Sequence, residues 1–340
     1  MLLHKNKRLR SAYLCSGFLI LIFFVFSGYR LLAHIYRDTQ RSNTCDTVWL
    51  GLHTPDPARR ILTVHVVVAY CKAPLRWLTQ EMEKIQAHPH ITVTQVLVFT
   101  KCGLQPRAAP PGAILKTLDN VGRCDHTYAY HMSDLIRKES TLDPDVVLYL
   151  KDTRLIHQQA KFSPLHTMIL QAGSEVGFAC GLIPSIRYAD YLTYGSFSAW
   201  HHTETLLTLK KTSYVNKYRD GTSSQKEPFQ SHMHNMKDWM ETSLKMEPPT
   251  QTIVPVCYGG MFATNARRIR QHEAELFDRL VSSLSRGDNV EEGHYAERLW
   301  ATLLSAPLDN AMLENITKAS QGFLDINHFG MLGALYSCKS

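Results

Sequence analysis

Ser11 to Tyr29 carries no charged side chain and reads SAYLCSGFLILIFFVFSGY. Nineteen residues of helix rise about 28 Å at 1.5 Å each, close to the hydrocarbon thickness of a bilayer. Lys5, Lys7, Arg8 and Arg10 precede the run, and no charged residue follows before Arg30. Bases collect on the cytosolic side of a span, which predicts an N-terminus inside and residues from about 36 onward in the lumen. A cleaved signal peptide is the rival reading. Its apolar core usually holds about 7–15 residues, fewer than here, and no clear small-x-small site follows this run. The expected order is a cytosolic tail at 1–10, a signal-anchor at 11–29, a stem at 30–60 and a luminal domain at 61–340. The short, Phe-rich span (Phe18, Phe23, Phe24, Phe26) suits a thin membrane of the early secretory pathway, hence a single-pass type II protein of the Golgi or endoplasmic reticulum.

The anchor also explains the charge. The chain has 37 Lys+Arg, 30 Asp+Glu and a net charge of +7. Seven of those bases and one acid, Asp38, lie in residues 1–41, so the other 299 residues are nearly neutral at +1. A domain so balanced presents no field for nucleic acid, and no nucleic-acid partner is expected. A hydrophobic fraction of 44% excludes a disordered chain. Of the eight Cys, Cys15 falls in the span, leaving Cys45, Cys71, Cys102, Cys124, Cys180, Cys257 and Cys338. An oxidising lumen pairs thiols, and seven is odd, so one is free or bridges to another chain. Cys45, in the stem, is the best placed for a disulfide-linked dimer. No CxxC occurs, so a Cys-built zinc site is not expected. Asn315-Ile-Thr is a glycosylation acceptor consistent with the luminal side.

Beyond the stem, strand and helix patterns alternate. Leu62–Ala69, Thr92–Thr100 and Asp145–Leu150 are β-branched or continuous apolar runs that read as buried strands. Pro74–Gln86, Asp125–Lys138 and Phe162–Ala172 read as helices, Val176–Leu182 as strand-like and 101–113 as a Pro/Gly-rich loop. Order returns at Thr252–Ala263, with helices at Ala266–Leu284 and Glu291–Leu304. Residues 185–252 are irregular and read as an insertion or acceptor-side subdomain. The alternation predicts an α/β domain with a mainly parallel, Rossmann-type sheet.

Ligands of such sheets bind beyond the carboxyl ends of the strands. The end of the first strand, around Tyr70, is one such place. Asn120-Val-Gly-Arg-Cys-Asp opens a helix, where exposed N–H groups and Arg123 offer a seat for a diphosphate. Capping by Asp125 is the plain alternative. Lys151 and Asp152 follow a buried strand. Asp152 could carry Mg²⁺ or Mn²⁺ on a nucleotide diphosphate, or Lys151 could neutralise the phosphates without metal. Tyr258-Gly259-Gly260 permits close backbone approach to a ligand. Glu291, Glu292, His294 and Glu297 lie on the last helix, where a carboxylate or an imidazole can take a proton from an attacking hydroxyl.

In one order, Val66-Val-Val-Ala-Tyr…Trp77, Asn120-Val-Gly-Arg…Thr127-Tyr…Tyr130-His131, Val147-Leu-Tyr-Leu-Lys-Asp, Tyr258-Gly-Gly-Met-Phe and Glu291-Glu-Gly-His-Tyr…Glu297-Arg-Leu-Trp resemble a poorly characterised eukaryotic and bacterial family related to GT-A-fold glycosyltransferases. The likeness covers about residues 62–304. It implies a GT-A-like luminal domain, a nucleotide sugar held by Tyr70, Asn120, Arg123, Lys151 and Asp152, and a glycan or glycoprotein acceptor lined by Tyr258, Gly259 and Gly260. It also puts Glu291 or Glu292 where an inverting enzyme's base lies. Asp152 matches the acidic metal motif only in part, because Asp-x-Asp is absent, and metal-dependent and metal-independent mechanisms both stay open. The rival expectations are a non-catalytic luminal binding protein of the same fold and a luminal hydrolase. No Gly-x-Ser-x-Gly elbow supports the hydrolase.

Overall fold

The computed structural model describes residues 60–138, 143–152, 164–181, 197–200, 204, 229–311 and 313–314. The apolar run at 11–29, nearly all of the stem, Cys15, Cys45, Cys338, Asn315 and much of 185–252 lie outside the described residues. Among the described residues, no helix is long and apolar enough to cross a membrane.

The run LTVHVVVAY forms β1, Leu62–Tyr70. Helix α1, Arg76–Gln86, follows, then β2, Ile91–Thr100, and the short β3, Ile114–Thr117. Helix α2 spans Arg123–Arg137 and β4 spans Val146–Lys151. Next come α3, Leu165–Ala172, β5, Phe178–Cys180, and β6, Phe197–Ala199. The C-terminal half adds α4, Met236–Trp239, β7, Ile253–Pro255, and β8, Phe262–Asn265. Three helices close the described chain: α5, Ala266–Ile269, α6, Ala274–Leu284, and α7, Glu291–Leu304.

Six strands form one sheet in the order β3-β2-β1-β4-β8-β5. β3, β2, β1 and β4 are mutually parallel, and β8 runs antiparallel to both β4 and β5. The fold is thus α/β with a mostly parallel, mixed sheet, consistent with a Rossmann-like architecture. Central strands buried on both faces need apolar side chains, which is why Val66–Tyr70 of β1 and Val146–Leu150 of β4 are continuous apolar runs. Alternation divides them: Val67, Ala69, Val147 and Tyr149 pack under α2, α6 and α7, whereas Val66, Val68, Leu148 and Leu150 pack under α1 and α3. β6 and β7 form a separate antiparallel pair.

One expectation needs correction, and two boundaries are refined. The helix expected over Ala266–Leu284 is two helices, broken between Ile269 and Ala274. At the break Arg270 turns back to donate to the carbonyls of Leu135 and Lys138 at the end of α2, so tertiary bonds replace helical continuation. β3 arises just beyond the expected loop. Pro74 stands before the first turn of α1, whose N-cap is Leu75.

Two disulfides tie the carboxyl edge of the sheet. Cys71–Cys102 joins the loops after β1 and β2, and Cys180–Cys257 joins the end of β5 to the segment entering β8. Among the described residues Cys124 is the free cysteine.

Candidate functional site

A strand alternates its side chains, so the two charged residues ending the β4 run part company. Lys151, paired with Ala69, faces the layer of α2 and α7. Asp152 turns to the other side and is 5% exposed. Its Oδ2 accepts the backbone N–H groups of Cys71, Lys72 and Ala73 at 2.9, 2.7 and 2.9 Å. The carboxylate therefore organises the turn after β1. Among the described residues no group of three or more His, Cys, Asp or Glu is arranged to hold a metal ion. One oxygen of Asp152 is thus engaged three times by the turn, and among the described residues no cluster of metal-ligating side chains includes it.

On the Lys151 side, α2 and α7 bring their charged residues together. On α7, His294, Glu297 and Trp300 recur every third position and share a face. Arg123, at the start of α2, approaches His294 Nε2 at 3.4 Å. His294 Nδ1 lies 3.9 Å from Glu297 Oε2. Glu297 Oε1 accepts the Gly259 N–H at 2.8 Å. Trp300 Nε1 donates to Asp125 Oδ1 at 2.7 Å. Arg298 donates to the His294 carbonyl and lies over the Tyr258 ring, 4.9 Å from its centroid.

Gly259 and Gly260 form the other wall, with φ of +95° and +63°. A Cβ on Gly260 would stand 2.9 Å from Cys124 Sγ and 3.7 Å from Lys151 Nζ, so that position tolerates no side chain. A Cβ on Gly259 would meet nothing within 4 Å. Open space therefore adjoins the Glu297 carboxylate, which is 15% exposed. Tyr128 fixes the wall by donating to the Gly260 carbonyl at 2.7 Å.

The electrostatics follow from burial. Burial pushes the Asp125 carboxyl up to about 6, with Glu297 adding to the rise, while the Trp300 N–H, Arg123 and Lys151 oppose it. Burial also pushes Glu297 up, yet the cations around it, Arg123 foremost with Lys151 and Arg298, outweigh it and hold that carboxyl below its usual range. Burial, reinforced by Arg123, lowers His294 to about 3, so its imidazole is neutral. Burial and Asp125 push the Cys124 thiol to about 12, which leaves it unreactive. Among the described residues, Arg123 and Lys151 act on both carboxylates and Arg298 on Glu297, a grouping of bases that suits an anion.

Residues 121–123 are held from below. Lys101, 7% exposed at the end of β2, donates through Nζ to the carbonyls of Val121 and Arg123. The N–H groups of Gly122 and Arg123 donate to the carbonyls of Gly287 and Asp288 at 2.7 and 3.0 Å. Those two groups are engaged within the protein and are not available to an anion. Gly122, not Asp125, is the N-cap, in the left-handed region.

Of the residues singled out from sequence, the structure gathers Arg123, Lys151, Tyr258, Gly259, Gly260 and His294. It directs others elsewhere. Tyr70 is 1% exposed, and its hydroxyl donates to the Gln105 carbonyl. Asn120 is exposed on the turn before Gly122. Glu291 Oε2 accepts the Ser231 N–H at 2.9 Å. Glu292 is 5% exposed and pairs with Arg286 at 2.8 Å. Both acids of the first turn of α7 therefore anchor neighbouring segments, and the carboxylate facing the glycine wall is Glu297. Its three-residue spacing from His294 was the available signal.

No protein-family profile, curated protein or solved structure gives a significant match to this chain.

Proposed function

We propose that this chain is a glycosyltransferase of GT-A-like fold that moves a sugar from a nucleotide sugar to a glycan or glycoprotein acceptor. The observation that carries the reading is the cluster of Arg123, Lys151 and Glu297 against Gly259–Gly260 at the carboxyl edge of the sheet. In this reading Arg123 and Lys151 balance the charge that grows on the departing diphosphate. The acceptor lies in the space beside Gly259, and Glu297 is the carboxylate nearest its hydroxyl. Asp152 keeps the turn after β1 in place, and no step is routed through a metal.

The same proposal places the domain in the Golgi or endoplasmic reticulum lumen behind the 11–29 span, as a type II membrane protein. Two disulfides suit an oxidising compartment. Glycosylation at Asn315 and a disulfide-linked dimer through Cys45 belong to this reading.

The test uses the full-length chain in detergent, with calorimetry against nucleoside diphosphates with and without Mn²⁺ and a transfer assay across nucleotide sugars. The expected result is diphosphate binding and measurable transfer. Glu297→Gln should keep binding and lower transfer by about 10²–10⁴-fold. Binding without any transfer would favour the second reading, a non-catalytic luminal binding protein. The specific observation on that side is the lowered Glu297 carboxyl, a weaker base than proton abstraction near neutral pH favours. Absence of nucleotide binding would refute the transferase.

A further inference from the structure

Two carboxylates, Asp125 buried and Glu297 partly exposed, share the cations of the proposed anion seat. Asp125 is 2% exposed in the first turn of α2. Its Oδ1 accepts the Trp300 indole N–H at 2.7 Å, and its Oδ2 lies 3.6 Å from Cys124 Sγ. Around it stand Arg123, Cys124 and Tyr128 of α2, Glu297 of α7, Lys101 at the end of β2 and Lys151 at the end of β4. Glu297 has the Gly259 N–H and the same two cations, with His294 and Arg298 beside it. Among the described residues the unliganded cluster thus sets two carboxylates against two shared cations, with Arg298 added on the Glu297 side.

A phosphate group arriving at Arg123 and Lys151 disturbs this balance twice. It adds negative charge, and it draws to itself the cations that offset the two carboxylates. In so dry a cluster one carboxylate must then be neutralised or the anion is repelled. Glu297 keeps Arg298 and a backbone N–H. Asp125 keeps the indole N–H and the more distant Lys101.

We propose that this site binds a diphosphate together with one proton, and that Asp125 takes up the proton. The proposal rests on the reading of the cluster as an anion seat. In the unliganded protein the Asp125 carboxyl is already raised to about 6 and is still largely ionised at neutral pH. A further rise on binding therefore falls in the physiological range, and the site holds its ligand more tightly as the medium acidifies.

The test is isothermal calorimetry of the full-length chain with inorganic pyrophosphate between pH 6 and 8, each pH in two buffers of different ionisation heat. The wild type should take up about 0.5–0.9 proton more than Asp125→Asn at pH 7, with its affinity falling up to about tenfold per pH unit above that. Pyrophosphate's own titration is common to both chains and cancels in the difference. Asn keeps an oxygen for the Trp300 N–H. A second variant, Trp300→Phe, removes the N–H that holds the carboxyl down and should move the window of proton uptake to higher pH. Binding with equal proton uptake in wild type and Asp125→Asn overturns the linkage and leaves the anion seat standing. An unmoved window in Trp300→Phe overturns Asp125 as the acceptor of the proton. Absence of pyrophosphate binding at every pH removes the anion seat itself, and the linkage with it.

Discussion

Replacing Asp152 with Ala would remove one oxygen that three backbone N–H groups share. Those of Cys71, Lys72 and Ala73 point at it from 2.9, 2.7 and 2.9 Å, and the residue is 5% exposed. Leaving a buried donor without an acceptor costs about 1–3 kcal/mol, more when the acceptor was charged. Partial relaxation of the turn returns some of this, so the net loss should be about 3–5 kcal/mol for Ala. Asp152→Asn keeps an oxygen in place but not the charge, and should lose about 1–2 kcal/mol. At about 2–4 °C per kcal/mol for a domain of this size, Asp152→Ala should melt roughly 10 °C below the parent and Asp152→Asn roughly 4 °C below. The assay is thermal unfolding followed by circular dichroism, without reductant because Cys71 and Cys102 close the same turn, and with and without Mn²⁺. The order parent, Asn, Ala tests the assignment. A normally stable Asp152→Ala that had lost a Mn²⁺-dependent property of the parent would refute the reasoning, since the carboxylate would then serve a ligand rather than the turn.

Gly260→Ala combines a φ of +63° with a Cβ only 2.9 Å from Cys124 Sγ. It should cost about 2–4 kcal/mol by urea midpoint, and Gly259→Ala less, since that Cβ meets nothing and only the backbone is strained. Asp125 supplies a pH test. Its folded carboxyl, at about 6 against an ordinary 3.8, binds more protons folded than unfolded across that window, so it lowers stability as pH rises through it. Asp125→Asn should be more stable than the parent at pH 7.5 and gain nothing near pH 3, as read from urea midpoints. Glu292→Ala leaves Arg286, 14% exposed in the pair, without its carboxylate, and should cost about 3–5 kcal/mol. A folded Glu292→Ala of normal stability that fails only in transfer would return Glu292 to the chemistry.

Much of the fold was written in periodicity. β1, β2 and β4 lie within a residue or two of the expected runs because β-branched and continuous apolar stretches bounded by turn residues read as strands. Helix α7 begins and ends where its pattern does. β3 was not legible: Ile-Leu-Lys-Thr at a sheet edge has three exposed residues of four, and four residues carry no period. The break between α5 and α6 was equally hidden. Arg270-Gln-His-Glu contains no helix breaker, and the interruption comes from Arg270 reaching the end of α2 and from His272 bonding to the Leu303 carbonyl at 2.9 Å. Both are contacts across more than thirty positions, where local propensity has no say.

The site was half legible, and geometry separates the halves. Chemistry-bearing residues clustered in the sequence at strand ends and helix starts, and the carboxyl edge of the sheet is where many of them met. Their faces decided the rest. Lys151 and Asp152 are neighbours in sequence, yet alternation sends one to the α2–α7 layer and the other to the turn after β1. Glu291 and Glu292 are the conspicuous acids of α7, but a first turn meets the segments that enter the helix, so Ser231 and Arg286 claim them. Glu297 comes within reach of the glycine wall because it follows His294 by three and precedes Trp300 by three. Trp300 in turn is fixed by Asp125 across the helix interface. Which acid faces the cleft is thus set by how α7 is rotated against α2, and one bond between a buried indole and a buried carboxylate helps set that rotation.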